Sequence, residues 1–187
     1  ENRLLALGLP PYVRVAFEPV PRLYHRWSPH PRGRNYVRAQ WTAFNYDLYS
    51  DAEFIAHTDA DTVLSSSGQM RILFRDSPQR PYVHGDATRS VFVPGVLALE
   101  FEWVAEFMQV LPFVFRRQDI PALRDFIAAR MGLGPERGGT RFEEAFLKLQ
   151  RRTLEICEEN YVGAPRRIEC IPGFQTIAAH FFFPQEA

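Results

Sequence analysis

Two aspartates one residue apart, Asp59 and Asp61, close the apolar run of "AEFIAHTDADTVLSS" at residues 52–66. On a regular strand such carboxylates face opposite ways. Where a strand turns into a loop, both can reach one cation, directly or through its waters. Carboxylate oxygens are hard ligands that suit magnesium, manganese or calcium, ions commonly shared with a diphosphate. The ion then neutralises charge on phosphate oxygens and helps a nucleoside diphosphate to leave. The competing reading is an Asx-type turn, each aspartate capping backbone groups as the strand ends. Nothing after Asp59 supplies the glycine and glutamate of an EF-hand, and neither Cys157 nor Cys170 stands in a paired zinc motif.

The elements around the pair follow from periodicity. "VRVAFEPVP" (13–21) has the alternation of a strand closed by Pro19 and Pro21, and "RLYHRWSPHPRGR" reads as an irregular loop. From Asn35, a helix N-cap by type, Val37, Trp41, Phe44 and Leu48 recur at helical steps. "EFIAH" (53–57) is a short buried strand with the acidic pair at its carboxyl end, where ligands sit in open α/β sheets. Downstream, "RPYVHG" and "RSVFVPG" read as strands, and residues 98–111 have helical composition. Asp119 caps a helix ended by Gly132, and Thr140 with Glu143 forms a capping box for the next. An aromatic-rich element carrying His180 follows. With no repeats or composition breaks, residues 1–187 read as a single domain of α/β class.

Composition narrows the partners. Lysine plus arginine and aspartate plus glutamate number 22 each, so no net field favours nucleic acid or an anionic membrane. No apolar run approaches the roughly 20 residues of a membrane span, and no signal peptide is visible. The chain begins at Glu1, not at a methionine, which leaves a removed leader or anchor open and the compartment either cytoplasmic or Golgi lumen. Cys157 and Cys170 could pair, which sequence alone does not decide.

"YVRAQWTAFNYDLYSDAEFIAHTDADTVL" resembles the segment that runs into the D-x-D motif of GT-A-type glycosyltransferases in their bacterial, viral and algal versions. An aromatic and glutamine-bearing helix (Tyr36, Gln40, Trp41) ends in an Asp-x-Tyr turn (Asp47, Tyr49), then an apolar strand leads to Asp59 and Asp61. "FMQVLPFVFRRQDIPALRDFI" and "RFEEAF" are similar to the acceptor-side region of such enzymes, in the same order, so the likeness covers about residues 35–183. It implies a GT-A-like domain with a mixed, mostly parallel sheet flanked by helices, whose first strand is either "VRVAFEPVP" or absent from the chain. It further implies an inverting transfer of sugar from a nucleotide-diphosphate sugar to a glycan or other hydroxyl acceptor, dependent on Mn2+ or Mg2+. The metal would lie on Asp59 and Asp61 with His180, and Gln40, Asp59 and Asp61 would face the donor. A carboxylate on an acceptor-side helix would take the proton from the attacking hydroxyl. Glu144 is preferred to Glu143, which the capping box claims; Glu158 and Glu159 in "EICEEN" are the alternatives.

The other chemistry-bearing residues have plainer readings. Arg32, Arg34 and Arg38 suit a diphosphate but read first as a solvated basic face. His57 alternates with apolar residues as a structural histidine, and Trp103 and Phe181 to Phe183 read as core. Two functions compete with glycosyl transfer: a non-catalytic binding subunit of the same fold, and a metal-dependent phosphoryl or nucleotidyl transferase using the same acidic pair.

Overall fold

A computed structural model of the chain describes residues 8, 11–27, 31–58, 93–105, 107, 112–134, 141–160 and 170–182. In chain order, the described elements are α1 (Pro31–Ala43), β1 (Phe54–His57), α2 (Val93–Leu97), β2 (Phe113–Arg116), α3 (Asp119–Arg130), α4 (Arg141–Asn160) and α5 (Phe174–Phe182), with 3-10 turns at Tyr24–Arg26 and Tyr46–Leu48. The class is therefore mixed helix and strand. The sheet differs from the expected parallel one: among the described residues β1 and β2 pair antiparallel, Phe54 opposite Arg116 and His57 opposite Phe113. Arg117 N–H extends the ladder to the Glu53 carbonyl at 2.9 Å.

α1 starts four residues before Asn35, because proline at a first helical position brings a preset φ and no orphan N–H. Asn35 is thus not the cap; its Oδ1 accepts the Tyr24 hydroxyl at 2.8 Å. Val37, Gln40 and Phe44 are buried, and Asn45 Nδ2 closes the helix end by donating to the Trp41 carbonyl at 2.8 Å. Residues 13–21, expected as a strand, run as an irregular extended strap. Two prolines without N–H groups make that segment a poor ladder partner, and it is fastened by side chains instead. Arg38 Nη2 donates to the Glu18 carbonyl at 3.1 Å, and the Thr42 and Tyr49 hydroxyls donate to the Glu18 carboxylate.

The helix expected over 98–111 is also corrected in its described part, 98–105 and 107; residues 106 and 108–111 lie outside the described residues. Helix α2 ends at Leu97, Glu100 takes a left-handed φ of 62°, and Phe101 N–H returns to the Val96 carbonyl, which is a Schellman closure with glutamate where glycine is usual. Ion pairs of Glu100 with Arg130 and Arg152, and stacking of Phe101 on Phe126 at 5.1 Å, hold the chain away from helix. Within "RSVFVPG", Val93 to Gly95 are helical where a strand was expected; the first four residues, and "RPYVHG", lie outside the described residues. Gly95 permits close contact with the segment before α5, since a Cβ there would stand 3.0 Å from Pro172 Cα.

α3 behaves as its sequence implies at the carboxyl end: Gly132 at φ 71° and Leu133 return N–H groups to Ala129 and Ala128. Its start differs, because Asp119 is the first helical residue and Gln118 stands at the cap position with no side-chain bond. Helix α4, 20 residues long, packs on both α2 and α3. Its buried Ala145, Phe146, Leu149, Thr153 and Cys157 form one stripe at helical steps. None of the described helices is long and apolar enough to cross a membrane.

Cys157, near the end of α4, and Cys170, ahead of α5, form a disulfide with Cα atoms 6.0 Å apart and a sequence separation of 13. Closing a loop of that length is worth about 3 kcal/mol through lost chain entropy. Reduction, or replacement of both cysteines by serine, is expected to lower the urea-unfolding free energy by about that amount. Identical midpoints with and without reductant would sink this expectation.

Candidate functional site

Strand β1 and Thr58 after it line a hollow of about 260 Å³. Tyr46, Tyr49, Ser50, Ile55, His57 and Thr58 are among its walls. His57 is held rather than presented: its Nδ1 accepts Gln175 Nε2 at 2.9 Å, and Tyr46 meets its ring edge-on at 5.2 Å. The strand end is thereby tied to α5. Asp59 and Asp61 lie outside the described residues.

Tyr49 also walls a larger cleft, of about 650 Å³, on its other side. The strap carrying Glu18 to Arg22 forms one bank, with Trp41 from α1 and Asn45 just after it, Arg124 and Asp125 from α3, and Arg141 to Glu143 from the first turn of α4 forming the others. Burial, then the charge and hydrogen bond of the Glu18 carboxylate, raise the Tyr49 pKa, so its hydroxyl stays a donor through neutral pH. Arg124 is fixed by a bidentate pair with Asp47, at 2.5 and 2.8 Å, and by the Phe44 carbonyl at 2.8 Å. Arg141 binds Asp125 at 2.8 Å. Glu143 is 5% exposed and accepts the Leu23 amide, stitching α4 to the strap.

Among the described residues, those expected at the site are dispersed. Gln40 is buried with its Oε1 accepting the Phe174 amide at 2.7 Å, so it caps the start of α5 and faces neither hollow. Glu144 is exposed and lies off the cleft, which receives Glu143 instead. Glu159 is exposed at the far end of α4, about 22 Å along the axis from Glu144 at 1.5 Å per residue. The two glutamates therefore cannot serve one acceptor hydroxyl. Arg38 pins the strap, and Arg34 and Arg38 both lie over Tyr24; the side chain of Arg32 lies outside the described residues.

His180 does not fit a metal ligand in this arrangement. Its Nδ1–H donates to the Thr176 carbonyl at 2.7 Å, and its Nε2 accepts the Val104 amide at 3.1 Å, which uses both ring nitrogens. Trp103 and Phe107 enclose the ring at 5.5 and 5.3 Å. Among the described residues, no three histidine, cysteine or acidic side chains are grouped to hold a metal ion. Burial lowers the His180 pKa, and the Thr176 bond only partly opposes this. A folded pKa depressed below the ordinary value of about 6.5 means that the unfolded chain takes up the proton first. Stability should accordingly be full above pH ~6.5 and fall as pH drops through the folded pKa. Urea unfolding between pH 7.5 and 4.5 checks this; His180→Gln should remove that part of the slope, and parallel curves for the two proteins would refute it.

The cleft escaped the sequence reading because its walls come from four separated segments. One signal was available: "EPVPR" has proline at alternate positions, which suits a rigid strap better than a paired strand. No known protein family, curated protein or solved structure matches this chain.

Proposed function

We propose that the protein is a metal-dependent glycosyltransferase of GT-A-like type, moving sugar from a nucleotide-diphosphate sugar to a hydroxyl acceptor with inversion. The observation that carries this reading is the course of β1, which ends at a hollow just before Asp59 and is anchored there by the His57–Gln175 bond. Asp59 and Asp61 supply the hard oxygen donors that suit manganese or magnesium. Such an ion, when bound, offsets the charge of the departing diphosphate. Tyr49, shared by hollow and cleft, brings the donor side and an acceptor side within one side chain of each other. Glu143 replaces Glu144 as the carboxylate best situated to receive a proton from a hydroxyl held in the cleft. The Cys157–Cys170 bond speaks for an oxidising compartment such as the Golgi lumen over the cytoplasm.

Hydrolysis of a panel of nucleotide sugars with manganese tests the proposal. At least one should turn over, and Asp61→Ala should lower that rate roughly 100-fold, the scale of several kcal/mol of charge stabilisation. Equal rates for wild type and variant would end it, and release of pyrophosphate instead of nucleoside diphosphate would reassign it to nucleotidyl transfer. A second reading, a non-catalytic binding subunit, is favoured by the closure of both His180 nitrogens. It requires no thermal stabilisation by any nucleoside diphosphate with manganese, whereas a binding enzyme is stabilised by mass action.

A further inference from the structure

The cleft of about 650 Å³ falls within the roughly 300–1,000 Å³ range of small-ligand sites. Its charges cancel: Glu18, Asp125 and Glu143 stand against Arg22, Arg124 and Arg141. Two of the three arginines are already paired, Arg141 with Asp125 of that set and Arg124 with Asp47 outside the lining, so no surplus positive charge draws in an anion. What remains is a mixture of donors and acceptors set around rings. Trp41 and Phe142 stack on each other at 5.2 Å, Tyr49 is a third ring of the lining, and Pro19 and Pro21 add rigid apolar surface. The walls carry both acceptors and donors: the Glu18 and Glu143 carboxylates, Arg22 and the Asn45 amide.

We infer that this cleft binds a neutral saccharide, its apolar ring faces against Trp41, Phe142 and Tyr49 and its hydroxyls shared between Glu143, Arg22 and Asn45. Neutral sugars combine apolar C–H faces with a dense ring of hydroxyls that both donate and accept, which is the chemistry of this lining. A carboxylate that is 5% exposed and held by the Leu23 amide is preorganised as a hydroxyl acceptor. Its identity as the acceptor site of a transferase rests on the function proposed above; saccharide binding itself does not.

The test therefore omits metal and nucleotide. Lactose, cellobiose, maltose and N,N′-diacetylchitobiose are titrated separately, with saturation-transfer NMR and tryptophan fluorescence as readouts. At least one should bind and perturb tryptophan emission, and phosphate should not compete. Glu143→Gln keeps an oxygen for the Leu23 amide and removes the anionic acceptor, and Arg22→Gln alters an exposed residue. Each should weaken binding roughly tenfold while leaving the melting temperature close to wild type. Absence of binding by all four disaccharides, competition by phosphate, or unchanged affinity in both variants overturns the inference. Saccharide binding without any nucleotide-sugar turnover would overturn the transferase reading and leave this one standing.

Discussion

Phe146→Ala is expected to cost about 3–5 kcal/mol, the range for truncating a fully buried phenylalanine. Phe146 is 0% exposed and meets four aromatic rings at once: Trp27 at 5.2 Å, Trp41 at 5.4 Å, Phe44 at 5.8 Å and Phe142 at 6.1 Å. These come from the turn after the strap, from α1 and its end, and from α4 itself. Removing the central ring leaves a cavity walled by large, stiff side chains that cannot collapse into it, which puts the loss above simple transfer. Against the roughly 5–15 kcal/mol stability of a typical domain this is a fifth or more. Urea unfolding measures it, with Phe146→Leu as a milder control. A loss under about 1 kcal/mol would mean that the cluster is loosely packed.

Asp47→Ala should cost about 3 kcal/mol, at the lower end of the range for breaking a buried ion pair. The Asp47 and Arg124 side chains are 8% and 17% exposed, and the pairing is bidentate, so deletion leaves a guanidinium nearly enclosed with, among the described residues, the Phe44 carbonyl as its remaining hydrogen-bond partner. The cost lies in that stranded charge more than in lost attraction. Asp47→Ala combined with Arg124→Met is therefore expected to recover part of the loss, and a double-mutant cycle reads the coupling directly. A single-variant loss below about 1 kcal/mol would class the pair with screened surface bridges. Because Arg124 is also a wall of the cleft, the single variant should loosen the saccharide site as well.

Helix α4 was legible because one stripe of Phe142, Ala145, Phe146 and Leu149 repeats at 3.6-residue spacing, and α3 because Gly132 marks its stop. The strand at Phe54–His57 was legible from its apolar run, but it is half-buried with Ala56 exposed, not the buried strand expected. The failures share a cause. Residues 98–111 have helix-forming composition, yet two arginines far along the chain capture Glu100 in a left-handed turn. Alternation in 13–21 looks like a strand, yet prolines deny it a ladder and Arg38, Thr42 and Tyr49 fasten it instead.

The site divides along the same line. Residue type and order alone determined the acidic pair after a strand, the helix carrying Gln40 and the possibility of a Cys157–Cys170 bond. Only the tertiary arrangement decided that Gln40 caps α5, that His180 spends both nitrogens on backbone groups, and that Glu143, not Glu144, walls a cleft. Local pattern reports which face of an element is apolar. It is silent on which distant amide or carbonyl will meet a buried polar group, and a buried polar group must meet one.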